Sequence, residues 1–380
     1  MNEIFYISPW DYADHFHYGV FFLVIWAVIL CFKGTVLDNK VVAVNQVLGM
    51  LVTVVLILFM GMRPISIAFG DTMNYAADFK ALQKDTHHLF WIRSKEWLWD
   101  ILMMFFAKFG NLNQLFLLCA TVYVGALWLA MRRIFAEYNY IPFLVIICMF
   151  TFWTYGVNGV RNGMGASLFI LAMTYPNNIP AMAVFAIIGA GIHNSVYLML
   201  AGAILAWFVN HSRTYIIVWF ACILISLVAG NQIQEYLSSY ATSLAGDNKF
   251  TAYLNYSDQQ MMSDGLMVAK SFRWDFIAYS ALGVATGAYF IMRREFKDEY
   301  YHWIFNTFLI CNAFWILIIR APYSNRFAQI SWFIMPVVMI YPYMKERFWI
   351  NHEKMLGTAI LIAYAFGFFS NMLPLLLKLI

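Results

Sequence analysis

Residues Ile141 to Leu200 read IPFLVIICMFTFWTYGVNGVRNGMGASLFILAMTYPNNIPAMAVFAIIGAGIHNSVYLML, and they decide the fold. Apolar runs follow one another here with only short turns between them, and Arg161 is the one charged residue in the stretch. Chain of this kind cannot be solvated by water over most of its length. It predicts helices in lipid, where every backbone N–H and C=O must find its partner inside the segment. Arg161 and His193 both fall at breaks between runs, and so do four of the glycines, Gly159, Gly163, Gly165 and Gly191.

The rest of the chain extends the pattern. Hydrophobic residues make up 63% and charged residues 12% of 380, against about 25% charged residues in soluble domains. Aromatic residues reach 19%, many of them at the ends of apolar runs, where an amphipathic ring sits at headgroup level. The expected architecture is all-α, a polytopic integral membrane protein with about 12 transmembrane helices, some short or broken. The clear candidates are 16–32, 41–62, 115–131, 141–155, 194–209, 214–229, 275–292, 302–319, 327–343 and 355–377. Two shorter runs, 164–175 and 181–192, flank the turn PNNIP. The stretch 96–110, interrupted by Glu96, Asp100 and Lys108, predicts an interfacial helix that does not cross.

A single membrane domain over 1–380 is expected, with 63–113 and 230–274 as long extracytoplasmic loops. The connectors at Lys33 and Lys40, Arg132 and Arg133, Arg213, Arg293 to Lys297, and Lys345 to Lys354 carry 11 basic residues, which the positive-inside rule assigns to the cytoplasm. Both termini then share that side, and the turns at Arg161, His193 and Arg320 face outward. The start has no basic n-region or small-residue cleavage site, so no cleaved signal peptide is expected. Cys31, Cys119, Cys148, Cys222 and Cys311 all lie within apolar runs, which argues against a disulfide framework or a metal cluster. The net charge of +4 is too small and too scattered for nucleic acid.

Phosphate loops, dinucleotide fingerprints, HExxH and DxD are absent, which disfavours ATP-driven pumping and a simple nucleotide-sugar site. What remains is charge at the ends of apolar runs. Arg161 is read either as a snorkelling anchor or as an anion site, since its forked donors suit phosphate. His193 is read either as a hydrogen-bonded packing element or as a base near neutrality. Arg273 and Asp275 stand at the mouth of one run, and Arg320 and Arg326 flank another turn. Arginines at three turns of a face where the positive-inside rule disfavours them suggest an anionic ligand. Asp71 is read as a helix cap or, with Tyr75, as a grip on sugar hydroxyls.

The order GDTMNY, a helix led by Glu96, VRNGMGASLFILA, GIHNSVYLM, FRWDFIAYS and YSNRFAQISWFIMPVVMIYP resembles the EpsG family of Wzy-like polysaccharide polymerases, of the type found in Bacteroidetes. The resemblance covers nearly the whole chain. It departs at Asn162, where the family often has Gln, and at Trp97, where a proline often follows the glutamate. It implies a membrane glycosyltransferase of the bacterial inner membrane that joins undecaprenyl-pyrophosphate-linked oligosaccharide repeat units of capsule, exopolysaccharide or O-antigen at the outer face. Its partners would be that lipid-linked glycan, membrane lipids and a chain-length regulator protein, with no cofactor and no metal. The expected roles are Arg161, Arg273, Arg326 and Arg320 on pyrophosphate, His193 and then Asp275 as base, and Asp71, Tyr75 and Asn162 on sugar. The rival readings are a flippase or transporter of a lipid-linked anionic glycan, a related O-antigen ligase, and an O-acyltransferase.

Overall fold

The computed structural model describes residues 7–85, 92, 94–244, 272–320 and 324–376. Residues 245–271, most of the second expected extracytoplasmic loop, lie outside it. The described chain is all-α, and its helices form two compact units. One unit runs up to Tyr197 and resumes at Tyr343; the other is Leu198–Pro342.

The first unit contains α1 (Tyr12–Lys33), α2 (Asn39–Gly61), α3 (Thr72–Lys84), α4 (Trp97–Phe109), α5 (Leu112–Phe135), α6 (Tyr140–Cys148), α7 (Phe150–Val157), α8 (Val160–Met173) and α9 (Ile179–Ile192). It also holds the start of α10 (Ser195–Phe208). The second unit contains the rest of α10, then α11 (Ser212–Leu244), α12 (Trp274–Ala288), α13 (Glu299–Leu317) and most of α14 (Asn325–Lys345); α15 (His352–Leu376) returns to the first. Part of the connector expected at 230–274 is therefore helix, since α11 runs on to Leu244.

The expectation of about 12 crossings is overturned. Among the described residues six helices are long and apolar enough to span: Pro9–Lys33, Asn39–Gly61, Leu112–Tyr138, Ser212–Ile233, Trp274–Arg293 and Asn325–Lys345. A seventh is possible only if α6 and α7, bent by 77°, make one span. Length and polarity account for four of the six missing spans, the bend between α6 and α7 accounts for a fifth, and the sixth, 355–377, runs past the described residues. Helices α8, α9 and α10 have 14 residues each, about 21 Å of helix against a hydrocarbon core of about 30 Å. Helix α13 is long enough at 19 residues, but its Glu299, His302, Asn306 and Asn312 keep it out of the six.

These short helices position the polar turns of the first unit. Helix α8 packs on α5 and α9, and α8 and α9 form a hairpin around the turn at Pro176. The two come close because Gly165 faces Gly189: a Cβ on Gly165 would lie 3.2 Å from the Gly189 carbonyl oxygen and 2.9 Å from Val196. Such small-residue contacts let backbones approach in lipid. The hairpin brings the start of α8, with Arg161, beside the end of α9, with His193. Helix α4 buries Trp99, Met103, Met104 and Ala107 against neighbours that include α3, α5 and α9.

An arginine that sequence reading treats only as a loop residue anchors the neighbouring turn. Arg63 is 1% exposed. It donates to the carbonyls of Met60 (2.7 Å) and Val157 (2.9 Å) and to the Thr72 hydroxyl (3.3 Å), and it stacks over Phe116. Burial lowers its guanidinium to about 10, so it stays charged at neutral pH. Arg63 ties the ends of α2 and α7 to the start of α3. Gly70 completes the turn at φ 58°, where a side chain would run into Asn158, and Asn158 Oδ1 accepts from the Asp71 N–H at 2.8 Å.

Candidate active site

Four helix ends of the first unit meet at Glu96. Glu96 precedes α4, Arg161 is the second residue of α8, and His193 and Asn194 link α9 to α10, which Ser195 begins. The start of a helix carries partial positive charge, so a cation there is disfavoured and an anion favoured. Arg161 at the head of α8 makes this corner electropositive twice over. The Glu96 carboxylate supplies the negative charge.

The contacts form one network. Arg161 Nη1 donates to Glu96 Oε2 at 2.5 Å, and the Asn194 backbone N–H donates to Glu96 Oε1 at 3.3 Å. His193 Nε2 lies 3.5 Å from the same Oε1. On the far side of the imidazole, the Ser195 backbone N–H donates to Nδ1 at 3.0 Å. The Ser195 hydroxyl lies 2.9 Å from Nδ1 and donates to Asn162 Oδ1 at 2.8 Å. The side chains of Arg161 and His193 are 23% and 21% exposed, that of Glu96 only 9%, so the pair is held inside the protein with a path to its surface.

Aromatic rings frame the guanidinium, with the centroids of Tyr75 and Trp99 5.5 and 5.6 Å away. Burial raises the Tyr75 phenol above its ordinary value, leaving it a neutral O–H beside Arg161. Asp71 is within electrostatic reach of both. It stands at the N-cap of α3 without capping it; its carboxylate accepts from Asn74 at 3.1 Å. Two polar atoms here are buried without a hydrogen-bond partner among the described residues: Arg161 Nε and Asn194 Oδ1. A donor and an acceptor left open beside an ion pair call for an explanation, and a ligand supplies one.

Of the residues expected from sequence to form the site, Arg161, Asn162, His193, Asp71 and Tyr75 gather in this corner. Glu96, Asn194, Ser195 and Trp99 join them. Glu96 has a sequence signal, the acidic residue leading a short apolar helix; the other three have none. Arg273, Asp275, Arg320 and Arg326 belong to the second unit, at the ends of α12, α13 and α14 away from the α13 start. Arg273 is engaged twice by Asp275, at 2.9 and 2.6 Å, and lies over the Phe276 ring. Arg320 stands near the Phe272 ring, 5.7 Å from its centroid.

The opposite end of the second unit has a cavity of about 440 Å³ lined in part by Asn210, His211, Arg213, Glu295, Lys297 and His302. It contains none of the residues expected from sequence to form the site. Among the described residues no three His, Cys, Asp or Glu side chains are grouped to hold a metal ion.

The fold and this corner define a polytopic all-α membrane protein with a polar, charged cluster at the ends of short helices. The EpsG family profile matches residues 46–375. The chain belongs to the EpsG family, a family of polysaccharide biosynthesis. No curated protein and no solved structure matches it.

Proposed function

We propose that this chain is a polysaccharide polymerase, a membrane glycosyltransferase that joins undecaprenyl-pyrophosphate-linked repeat units at the outer face of the bacterial inner membrane. The observation that carries this reading is Arg161: a cation at a helix start within an apolar protein, held by one carboxylate and with its Nε open. A pyrophosphate leaving group needs charge stabilisation as its bond to the anomeric carbon breaks, and forked donors fixed at a helix N-terminus provide it. The buried Tyr75 and Trp99 rings hold the guanidinium in place, and Asp71 with the open Asn194 Oδ1 offers the acceptors that sugars use. Family membership supports the pathway, and within the first unit the basic residues at the far ends of α2 and α5, Lys40, Arg132 and Arg133, support the outward orientation.

The experiment uses lipid-linked repeat units extracted from cells lacking this chain, supplied to the purified protein in detergent. A ladder of longer glycans on a gel is expected. Movement of the labelled lipid across liposomes with no chain growth would overturn the polymerase in favour of a transporter.

A further inference from the structure

Within the polymerase reading, on which this rests, we infer that Glu96 takes the proton from the acceptor hydroxyl and that His193 is a positioning residue that holds Glu96. The decisive contact is on the Nδ1 side of His193. The Ser195 backbone N–H points at Nδ1 from 3.0 Å, and a backbone N–H can only donate. Nδ1 must therefore be the acceptor, and the neutral ring carries its proton on Nε2.

That proton faces Glu96 Oε1 across 3.5 Å. To act as base, His193 would need its open lone pair directed at substrate. Its lone pair is instead turned onto the first residue of α10, where the helix fixes the donor. Protonating Nδ1 would set two N–H groups against each other. His193 thus presents a donor to Glu96, in the manner of the residue that orients a catalytic base.

Glu96 has the geometry that His193 lacks. Its Oε1 is held by Asn194 N–H and faces His193, while its Oε2 is engaged by Arg161 alone among the described residues. A carboxylate oxygen offers two lone pairs. A pyrophosphate that draws the Arg161 guanidinium toward itself leaves Oε2 open at the point where donor and acceptor meet. Donor binding therefore uncovers the base, which keeps the carboxylate paired when the site is empty.

The step balances. The acceptor O–H gives its proton to Glu96 Oε2 as the oxygen bonds to the anomeric carbon of the donor. The bond from that carbon to the pyrophosphate oxygen breaks, and its electron pair leaves on the polyprenyl pyrophosphate facing Arg161. Glu96 then returns the proton to water. Inversion at the anomeric carbon follows from a single displacement.

The test compares Glu96→Gln, His193→Gln and His193→Ala in the whole purified protein, with extracted lipid-linked repeat units as substrate and initial chain growth as readout. Gln at 193 keeps a donor near the Nε2 position but cannot act as base. His193→Gln is expected to stay within about 5-fold of wild type in kcat and His193→Ala to fall about 50-fold, while Glu96→Gln falls about 1,000-fold, within the range of general base catalysis. KM for the lipid-linked unit should change less than about 3-fold in Glu96→Gln, which shows that the site still folds and binds, since the base acts on the chemical step. Chain growth by wild type with His193→Gln as inactive as His193→Ala and Glu96→Gln active would overturn this assignment alone. No chain growth by wild type would overturn the polymerase reading and this inference with it.

Discussion

Each unit buries a polar cluster among apolar helices, and the two clusters are built to opposite ends. In the second unit Asn312, fully buried, donates to Ser280 (2.9 Å) and Ser331 (2.8 Å) and accepts from Trp219 (2.7 Å), while Trp332 donates to Ser280 at 2.7 Å. None of these five side chains leaves a buried polar atom without a partner. The network ties α11, α12, α13 and α14 together as polar glue does in membrane helices. In the first unit the Glu96 cluster is charged, reaches the surface, and leaves Arg161 Nε and Asn194 Oδ1 open. The neutral, satisfied cluster is a structural joint; the charged one, which reaches the surface, is the proposed place for a ligand. Substitutions should therefore separate the two: stability should fall at Asn312, and activity at Glu96 and Arg161.

After Glu96→Gln, the largest expected effect is again on activity in the first unit. Arg161→Lys keeps the charge beside Glu96 but loses the fork, and chain growth should drop about 100-fold with the midpoint of thermal unfolding in detergent unchanged within a few degrees. The mirror experiment is Asn312→Leu, which strands the Trp219 N–H and should cost about 2 kcal/mol of stability. The protein that survives it should keep wild-type chain growth per folded molecule, measured on the monodisperse fraction. Equal losses of stability at both positions would erase the distinction.

A smaller effect is expected at Asn162→Ala, which removes the acceptor of the Ser195 hydroxyl. Chain growth should fall about 5-fold, on the scale of one neutral hydrogen bond, measured as kcat with KM recorded alongside. The smallest is expected at Arg273→Ala in the second unit. The Arg273–Asp275 pair is exposed, 31% and 60%, so thermal unfolding should register less than about 0.5 kcal/mol.

Much of the first unit's corner is legible in the sequence because charge is rare there. Arg161 stands alone in 60 apolar and polar residues, and His193 and Asn162 flank breaks that only glycine and asparagine explain. Glu96 is legible as a helix start but not as a partner, since its contacts lie 65 and 98 residues away along the chain. Nothing local announces that pairing. The role of Arg63 is hidden for a related reason: just past an apolar run it reads as the start of a long loop, and only the folded chain brings the Val157 carbonyl to it, 94 residues away.

The crossing number was less legible than the fold class. Apolar composition requires lipid but does not say whether a run crosses, bends or stops. The break between α6 and α7 falls at Met149, extended at φ −73° and ψ 140°, in a sequence, CMF, without glycine or proline. Of the three 14-residue helices, α8 and α9 are legible as short runs on either side of PNNIP, whereas α10 reads as a full-length run, 194–209.

The most direct test of the Glu96 corner as the polymerase site is photo-crosslinking with an undecaprenyl-pyrophosphate-linked repeat unit that carries a photoreactive group on the sugar next to the pyrophosphate, followed by mass spectrometry of the labelled peptides. Label is expected on the segments around 96–99, 158–163 and 193–197, and it should be displaced by unlabelled substrate and lost in Arg161→Lys. Displaceable label confined to the cavity around His211 and His302, with these three segments unmodified, would contradict it.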